Sequence, residues 1–345
     1  MSKKFKKIQG FILVGLFCVL LMALSAGFYW QMALKNNLSS TEKISLKIYP
    51  QDDFESVYAQ LEDHLLRPKQ FVRVAHWMKY DQHIKSGYYV IKPQQGNKTI
   101  VRQLAQGLQQ PVKLRFNNIR TLPQLAGILS KQIMLDSIQI MDAICDTAFM
   151  RTQGWTYETL PALFLPNTYE VWWNMSPERF RQVFTKAYAA FWNEDRLKKA
   201  ADKGLTPVEV AIIASIIEEE TNAKDEWPIV AGIYMNRLRR GMYLQACPTV
   251  KFALNDFSIK RVLKEHTEVD SPYNTYKHLG LPPGPVRIPS IAALEAVLKA
   301  EKHNYLYMCA KDDFSGRHYF STNLRQHNEY ARRYHQALNR KRIYK

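Results

Sequence analysis

The sequence predicts an α+β protein with an N-terminal transmembrane helix, a small α+β unit and a larger, mainly helical domain. Three observations predict it. An uncharged apolar run fills residues 10–30. Between residues 44 and 118, strand-like alternation and helical stripes take turns. From Thr121 onward the apolar spacing is mostly helical.

The first element is an anchor. Lys3, Lys4, Lys6 and Lys7 precede the uncharged run. About 20 apolar residues cross roughly 30 Å of hydrocarbon as a helix. Lysines on the near side place residues 1–9 in the cytoplasm and the rest of the chain outside an inner (cell) membrane. Tyr29 and Trp30 stand where an interfacial aromatic anchor belongs. The run continues past the small residues Ala23-Leu24-Ser25-Ala26 and is long for a signal core. An uncleaved, single-pass anchor is therefore expected over a cleaved signal peptide. Bulky Phe17 before Cys18 argues against lipoprotein cleavage.

Composition sets the class. With 345 residues, 46% hydrophobic and 23% charged, the chain can bury two cores, and a globular rather than a disordered chain is expected. The net charge of +17 suits an anionic partner such as lipid headgroups or wall polymers. The anchor and the lack of a recognised motif argue against nucleic acid. The four cysteines show no CxxC or Cys/His spacing, so neither metal nor cofactor is expected.

Residues 31–43 are polar and read as a linker. The small unit spans 44–118. It opens with a strand at Ile44–Ile48, then a helix capped by Asp53 with the stripe Phe54, Val57, Leu61 and Leu65. A second helix carries Phe71, Val74, Ala75 and Met78. Gly87 opens a strand through Ile91, Thr99 caps a helix with Ile100, Leu104 and Leu108, and Val112–Phe116 forms a last strand. No cluster of catalytic residue types occurs there, so binding or spacing is its natural role. The domain 119–345 begins with helices near 121–131, 137–147 and 176–193.

One helix of that domain carries the candidate chemistry. Thr206-Pro207-Val208-Glu209 is a capping box with proline at the first helical position. Downstream, Val210, Ile212, Ile213, Ile216 and Ile217 form a broad apolar arc. Glu220 stacks over Ile213, Ile216 and Ile217, whereas Glu218 and Glu219 fall at the arc's edges. Burial beside apolar walls raises a carboxyl's pKa and lets it hold a proton near neutrality. Glu220 is thus the candidate acid/base.

These residues also carry a resemblance. Ala214-Ser215-Ile216-Ile217-Glu218-Glu219-Glu220-Thr221 resembles the ASIIExET signature of the endolytic murein transglycosylase family (MltG, or YceG-like). Asn236-Arg237-Leu238, Gly241–Gln245, Pro248-Thr249-Val250, Tyr273–Tyr276 and Gly280–Pro285 look like its NRL, GMxLQ, PTV, YNTY and GLPPGP motifs. Leu165–Tyr169 resembles its FPDTY. Phe320, Thr322, His327 and Asn328 fit its closing motif. Cys247 stands where the family usually has Asp, Asn167 replaces another Asp, and Ile288-Pro289-Ser290 replaces Asn-Pro-Gly.

The resemblance implies a LysM-like subdomain at 44–118 and a catalytic domain with a lysozyme-like active-site helix. It implies Glu220 as catalytic residue and Glu218 as a supporting one. It implies endolytic lytic cleavage of the MurNAc–GlcNAc β-1,4 bond in peptidoglycan, leaving 1,6-anhydro-MurNAc ends and trimming nascent strands beside peptidoglycan synthases. Tyr169, Asn236, Gln245, Thr249, Tyr273, Asn274 and Tyr276 are candidates to line a glycan groove. A hydrolytic muramidase and a non-catalytic peptidoglycan-binding scaffold stay open as alternatives.

Overall fold

The computed structural model describes residues 3–259 and 261–341, without the side chains of residues 3–7 and 9. The lysines expected to orient the anchor therefore lie outside the described side chains. The fold is mixed and mostly helical, consistent with α+β. The chain divides into two compact units, residues 1–113 with 170–175 and residues 114–169 with 176–345.

The first unit starts with α1 (Lys3–Tyr29). The stretch Gly10–Leu34 is long and apolar enough to cross a membrane, and its most apolar 18 residues have a mean hydropathy of 2.6 and are unburied. A stretch apolar all round and exposed on every face suits an apolar solvent. It runs into a π-helical turn, Trp30–Leu34, that is packed rather than free. Ala33 and Leu38 are buried, and buried Asn37 donates to Asn97 Oδ1 at 2.7 Å. Asn97 in turn donates to the Met32 carbonyl at 2.8 Å. Ala33, Asn37 and Leu38 are therefore core residues, and they dock the start of the expected linker onto this unit. Asn37 looks solvated in sequence but is satisfied inside by Asn97 and the Arg67 carbonyl, as a buried polar group must be.

Strand β1 (Ile44–Ile48) pairs antiparallel with β2 (Gly87–Ile91), Ile44 facing Ile91 and Ile48 facing Gly87. Its burial alternates, as the sequence pattern requires. Between them lie α2 (Phe54–Leu61), whose cap Asp53 accepts the Ser56 N–H at 2.8 Å, and α3 (Pro68–Trp77). Helix α4 (Asn97–Gln106) begins two residues before the expected cap Thr99. Gly96 caps it because a side chain there would collide with the Leu34 carbonyl. Leu46, Val57, Leu61, Phe71, Val74 and Leu104 close this core.

The chain passes between the units within β3 (Val112–Arg115) and β4 (Thr168–Val171), which pair with each other. The second unit adds α5 (Leu122–Leu129), α6 (Ser137–Ile144), α7 (Thr147–Gln153), α8 (Pro177–Phe191) and α9 (Glu194–Ala201). The expected 137–147 helix ends at Ile144, and Asp146 caps the separate α7. Then come α10 (Pro207–Glu220), α11 (Trp227–Arg239), α12 (Cys247–Ala253) and α13 (Ile291–Leu298). A hairpin of β5 (Tyr307–Ala310) and β6 (His318–Ser321) precedes α14 (Leu324–Arg340).

Helix α10 is the axis of this unit. Every residue from Val210 to Ile217 is buried, with α11 and α13 among its neighbours. The expected one-sided arc is thus a helix apolar on all faces, the pattern of a core helix. Ser215 is fully buried yet satisfied: its hydroxyl donates to Ile212 O at 2.7 Å and accepts Val286 N–H at 3.0 Å. That bond pins the 280–287 loop to the helix.

Candidate active site

The site stands at the C-terminal end of α10. The Thr206–Glu209 capping box fixes the other end, where Thr206 N–H donates to Glu209 at 2.7 Å. Thr221 turns extended and stops the helix. Its carbonyl accepts the Trp227 indole N–H at 2.9 Å, tying α10 to α11. Three carboxyls therefore crowd the last turn, where the helix dipole disfavours negative charge.

What separates the three is their partners. Glu218 accepts the Ser290 N–H at 2.7 Å and lies 3.8 Å from Arg287. Glu219 is held at 2.8 Å by Arg287 and at 3.0 Å by Arg120. Arg287 is steadied in turn by Asn118 Oδ1 at 2.9 Å. Glu220 has no ion pair among the described residues. Its one polar contact there is a long bond from the Tyr234 hydroxyl to Oε2, 3.4 Å. Burial therefore dominates and lifts the Glu220 carboxyl from 4.5 to about 7. Tyr234, Lys251 and Arg237 pull the other way without cancelling it.

Glu220 also marks its neighbours. Burial and the Glu220 charge push the Tyr234 phenol well above its usual range. Burial raises the Cys247 thiol, and Glu220 adds to it. The Tyr276 hydroxyl lies 3.4 Å from Cys247 Sγ and is also raised, chiefly by burial. Arg237 forms the floor. Its guanidinium donates to Leu306 O at 2.7 Å, Leu244 O at 2.8 Å and Gln245 Oε1 at 3.3 Å, and it stacks over Tyr307. This arrangement holds one protonatable carboxyl against an apolar wall with a phenol on one oxygen. It can give and take a proton near neutral pH.

The groove candidates divide. Tyr276 and Gln245 join the Glu220 cluster, Gln245 with a left-handed backbone (φ 52°) uncommon for a residue bearing a side chain. Tyr273 packs on Phe252 with ring centroids 4.6 Å apart. The others spend their polar groups internally. Thr249 is fully buried and bonds Ala246 O and Thr275. Asn274, also fully buried, donates to Thr267 O and Val269 O and accepts Tyr276 N–H. Asn236 donates to His303 O and Tyr305 O and accepts from Arg239. Tyr169 donates to Leu165 O and packs on Phe184. These four hold loops through those bonds.

Sequence reasoning missed Tyr234, Lys251, Arg120 and Arg287, which reach α10 from distant segments. A wider recess of about 680 Å³ lies at the opposite end of α10, beside Thr206 and Glu209. None of the Glu220 cluster lines it. All four cysteines are free. Among the described residues no group of three or more His, Cys, Asp or Glu could hold a metal.

Comparison with known proteins gives this geometry a family. An endolytic murein transglycosylase of Bacillus subtilis is 40% identical over 129 residues, 37% of this chain and 35% of that protein. One from Streptococcus pneumoniae is 27% identical over 350 aligned positions, 90% of this chain and 63% of that protein. The chain thus spans less than two thirds of these relatives' length. A crystal structure of a yceG-like protein from Listeria monocytogenes superposes with a TM-score of 0.54 at 27% identity, covering 84% of this chain and 99% of that one. The YceG-like family pattern runs through residues 46–333, from β1 through the Glu220 cluster into α14, and the chain therefore belongs to the YceG-like family.

Proposed function

We propose that this protein is a membrane-anchored lytic transglycosylase that cleaves peptidoglycan glycan strands internally, with Glu220 as its acid and base. The observation that carries the reading is Glu220 itself. In the signature helix of its family it is the one carboxyl of three without a cationic partner among the described residues, and its proton is held to about 7.

The bond is the MurNAc–GlcNAc β-1,4 link. Tyr234 occupies Oε2, so Oε1 carries the proton. That proton passes to the bridging oxygen as the C1–O bond breaks. Positive charge grows on the muramyl ring, and the sugar's own acetamido group stabilises it. The Glu220 carboxylate then takes the proton of the same sugar's C6 hydroxyl, whose oxygen closes on C1. The products are a 1,6-anhydro-muramyl end and a free 4-hydroxyl, and Glu220 is protonated again. One carboxyl suffices because the substrate supplies the nucleophile, unlike the two-carboxylate glycosidases.

Glu218 plays a supporting part, joining the end of α10 to the start of α13 through Ser290. Tyr276 and Gln245 face the sugar. Residues 1–9 lie in the cytoplasm and the second unit acts outside. The 44–118 segment is a LysM-like wall-binding unit, and α10 plays the part of a lysozyme-like active-site helix. Work on nascent strands beside peptidoglycan synthases fits the anchor.

The test is mass spectrometry of fragments released from purified peptidoglycan and from uncrosslinked glycan by the full chain in detergent and by Glu220→Gln. Anhydro-muramyl ends from the parent alone are expected. Reducing ends would make it a hydrolase, and no release from either substrate would leave only a binding scaffold.

A further inference from the structure

Next to Glu220 the second unit has a separate recess of about 210 Å³, walled by Tyr157, Phe252, Tyr273 and Pro285, with Arg120 and Glu158 at its polar edge. Two contacts fix its place. Phe252 follows Lys251, whose positive charge acts on Glu220, on α12. Arg120 grips Glu219, the residue before Glu220.

The recess is smaller than the roughly 300–1,000 Å³ of pockets for drug-sized ligands, so it takes one ring rather than a chain. Its walls are built, not incidental. The loop carrying Pro285 lies on the backbone of Glu158 so closely that any Cβ at Gly284 would overlap that carbonyl oxygen. Phe252 and Tyr273 join into one aromatic surface. Tyr157 contributes a ring that is 50% exposed and has no aromatic partner among the described residues.

Its polar groups indicate the occupant. Arg120 Nε is buried without a partner, a costly state for an N–H. The guanidinium cannot turn away to satisfy it, because Glu219 holds one edge and Phe257 lies under its plane at 4.8 Å. Glu158 has no ion pair among the described residues, while Arg120 and Arg287 are already matched by Glu218 and Glu219. Glu158 is therefore the one carboxylate at the rim that no cation holds among the described residues. Arg120 turns a guanidinium to the recess, and Glu158 adds a strong acceptor that repels a nearby anion.

We infer that this recess is a subsite for one neutral amino-sugar ring of the glycan strand, of the N-acetylglucosamine type, and the inference rests on the activity proposed above. The ring's C–H face lies on Tyr157 and Tyr273, its acetamido carbonyl turns to Arg120, and a ring hydroxyl donates to Glu158. A muramyl ring with a free lactyl carboxylate is excluded by Glu158.

The test uses full-length Glu220→Gln in detergent, which holds glycan without cutting it, with tetra-N-acetylchitotetraose as the probe in calorimetric titration. Adding Tyr157→Ala should weaken binding roughly 3–10-fold, the loss of one aromatic stacking partner. Tyr157→Phe should bind within about twofold, because the stacking face remains. N-acetylmuramic acid should compete poorly, and Glu158→Gln should improve its competition. Tyr157 is exposed, and unchanged thermal unfolding of Tyr157→Ala would show that folding is intact. Equal chitotetraose binding with and without Tyr157→Ala overturns the subsite, as does parental cleavage of glycan without any chitotetraose binding. A parent that neither binds nor cleaves glycan refutes the proposed function instead.

Discussion

Replacing Glu220 by Gln should make the protein more stable, and only where the parent carboxyl is ionised. Burial lifts this carboxyl from 4.5 to about 7. Below pH 4.5 the native and unfolded states both hold the proton, and ionisation adds nothing to the comparison. Between 4.5 and about 7 the native state keeps a proton the unfolded chain has released, so parental stability falls as pH rises. Above about 7 the loss is complete. At 1.36 kcal/mol per pH unit it comes to about 3 kcal/mol. Gln keeps the acceptor for Tyr234 and the shape of the side chain but never ionises. Thermal unfolding of the full chain in detergent at pH 4.5 and pH 8 reads the difference. For a unit of this size, about 3 kcal/mol moves the midpoint roughly 6–12 °C. The gap between variant and parent should open by that amount at pH 8 relative to pH 4.5. A gap independent of pH, or one favouring the parent at pH 8, would refute a half-buried Glu220 that holds its proton to about 7.

Three further perturbations follow from the same geometry. Tyr234→Phe removes the hydroxyl that favours the Glu220 carboxylate, so the alkaline limb of kcat/KM should move up by about 0.5–1 pH unit; a downward move in the pH profile would reverse the assigned donor. Arg287→Met strips Glu219 of one of its two cations and leaves Glu218 with none, in a setting where the Arg287 side chain is only 10% exposed. Denaturant unfolding should show a loss of about 2–4 kcal/mol, partly restored by adding Glu219→Gln; no restoration would mean the loss comes from packing. Gly284→Ala forces the loop off Glu158 and should cost about 1–3 kcal/mol, whereas a thermal midpoint equal to the parent's would show that the loop has room to move.

Much of the fold was legible because its signals are local. Asp53, Asp136, Ser176 and Thr206 each accept the third N–H of the helix they precede, a pattern readable from spacing. The β1 alternation is likewise written in the chain. The hairpin β5–β6 escaped notice because its strands are four residues long and half-exposed on nearly every position, leaving no alternation to read. The site was less legible still. Three adjacent glutamates look alike in sequence, and what distinguishes them arrives from Arg120, Arg287 and Tyr234, residues 14 to 99 positions away. A hydroxyl or amide also carries no mark of where it points. Thr249 and Asn274 are groove candidates in sequence, yet both are fully buried and bond to the interior.

The π-helical turn after α1 changes what the membrane helix can do for the protein. Because Ala33 is sealed in the first core and Asn97 clasps the Met32 carbonyl, no free chain separates the span from the first folded unit. A loose strand would let that unit sweep a hemisphere whose radius grows with its length. A fused helix sets a fixed standoff instead, a spacer rather than a leash. The height of the first unit above the bilayer is then set by folded geometry. Residues inserted at Leu34 would break a core before they lengthened any reach.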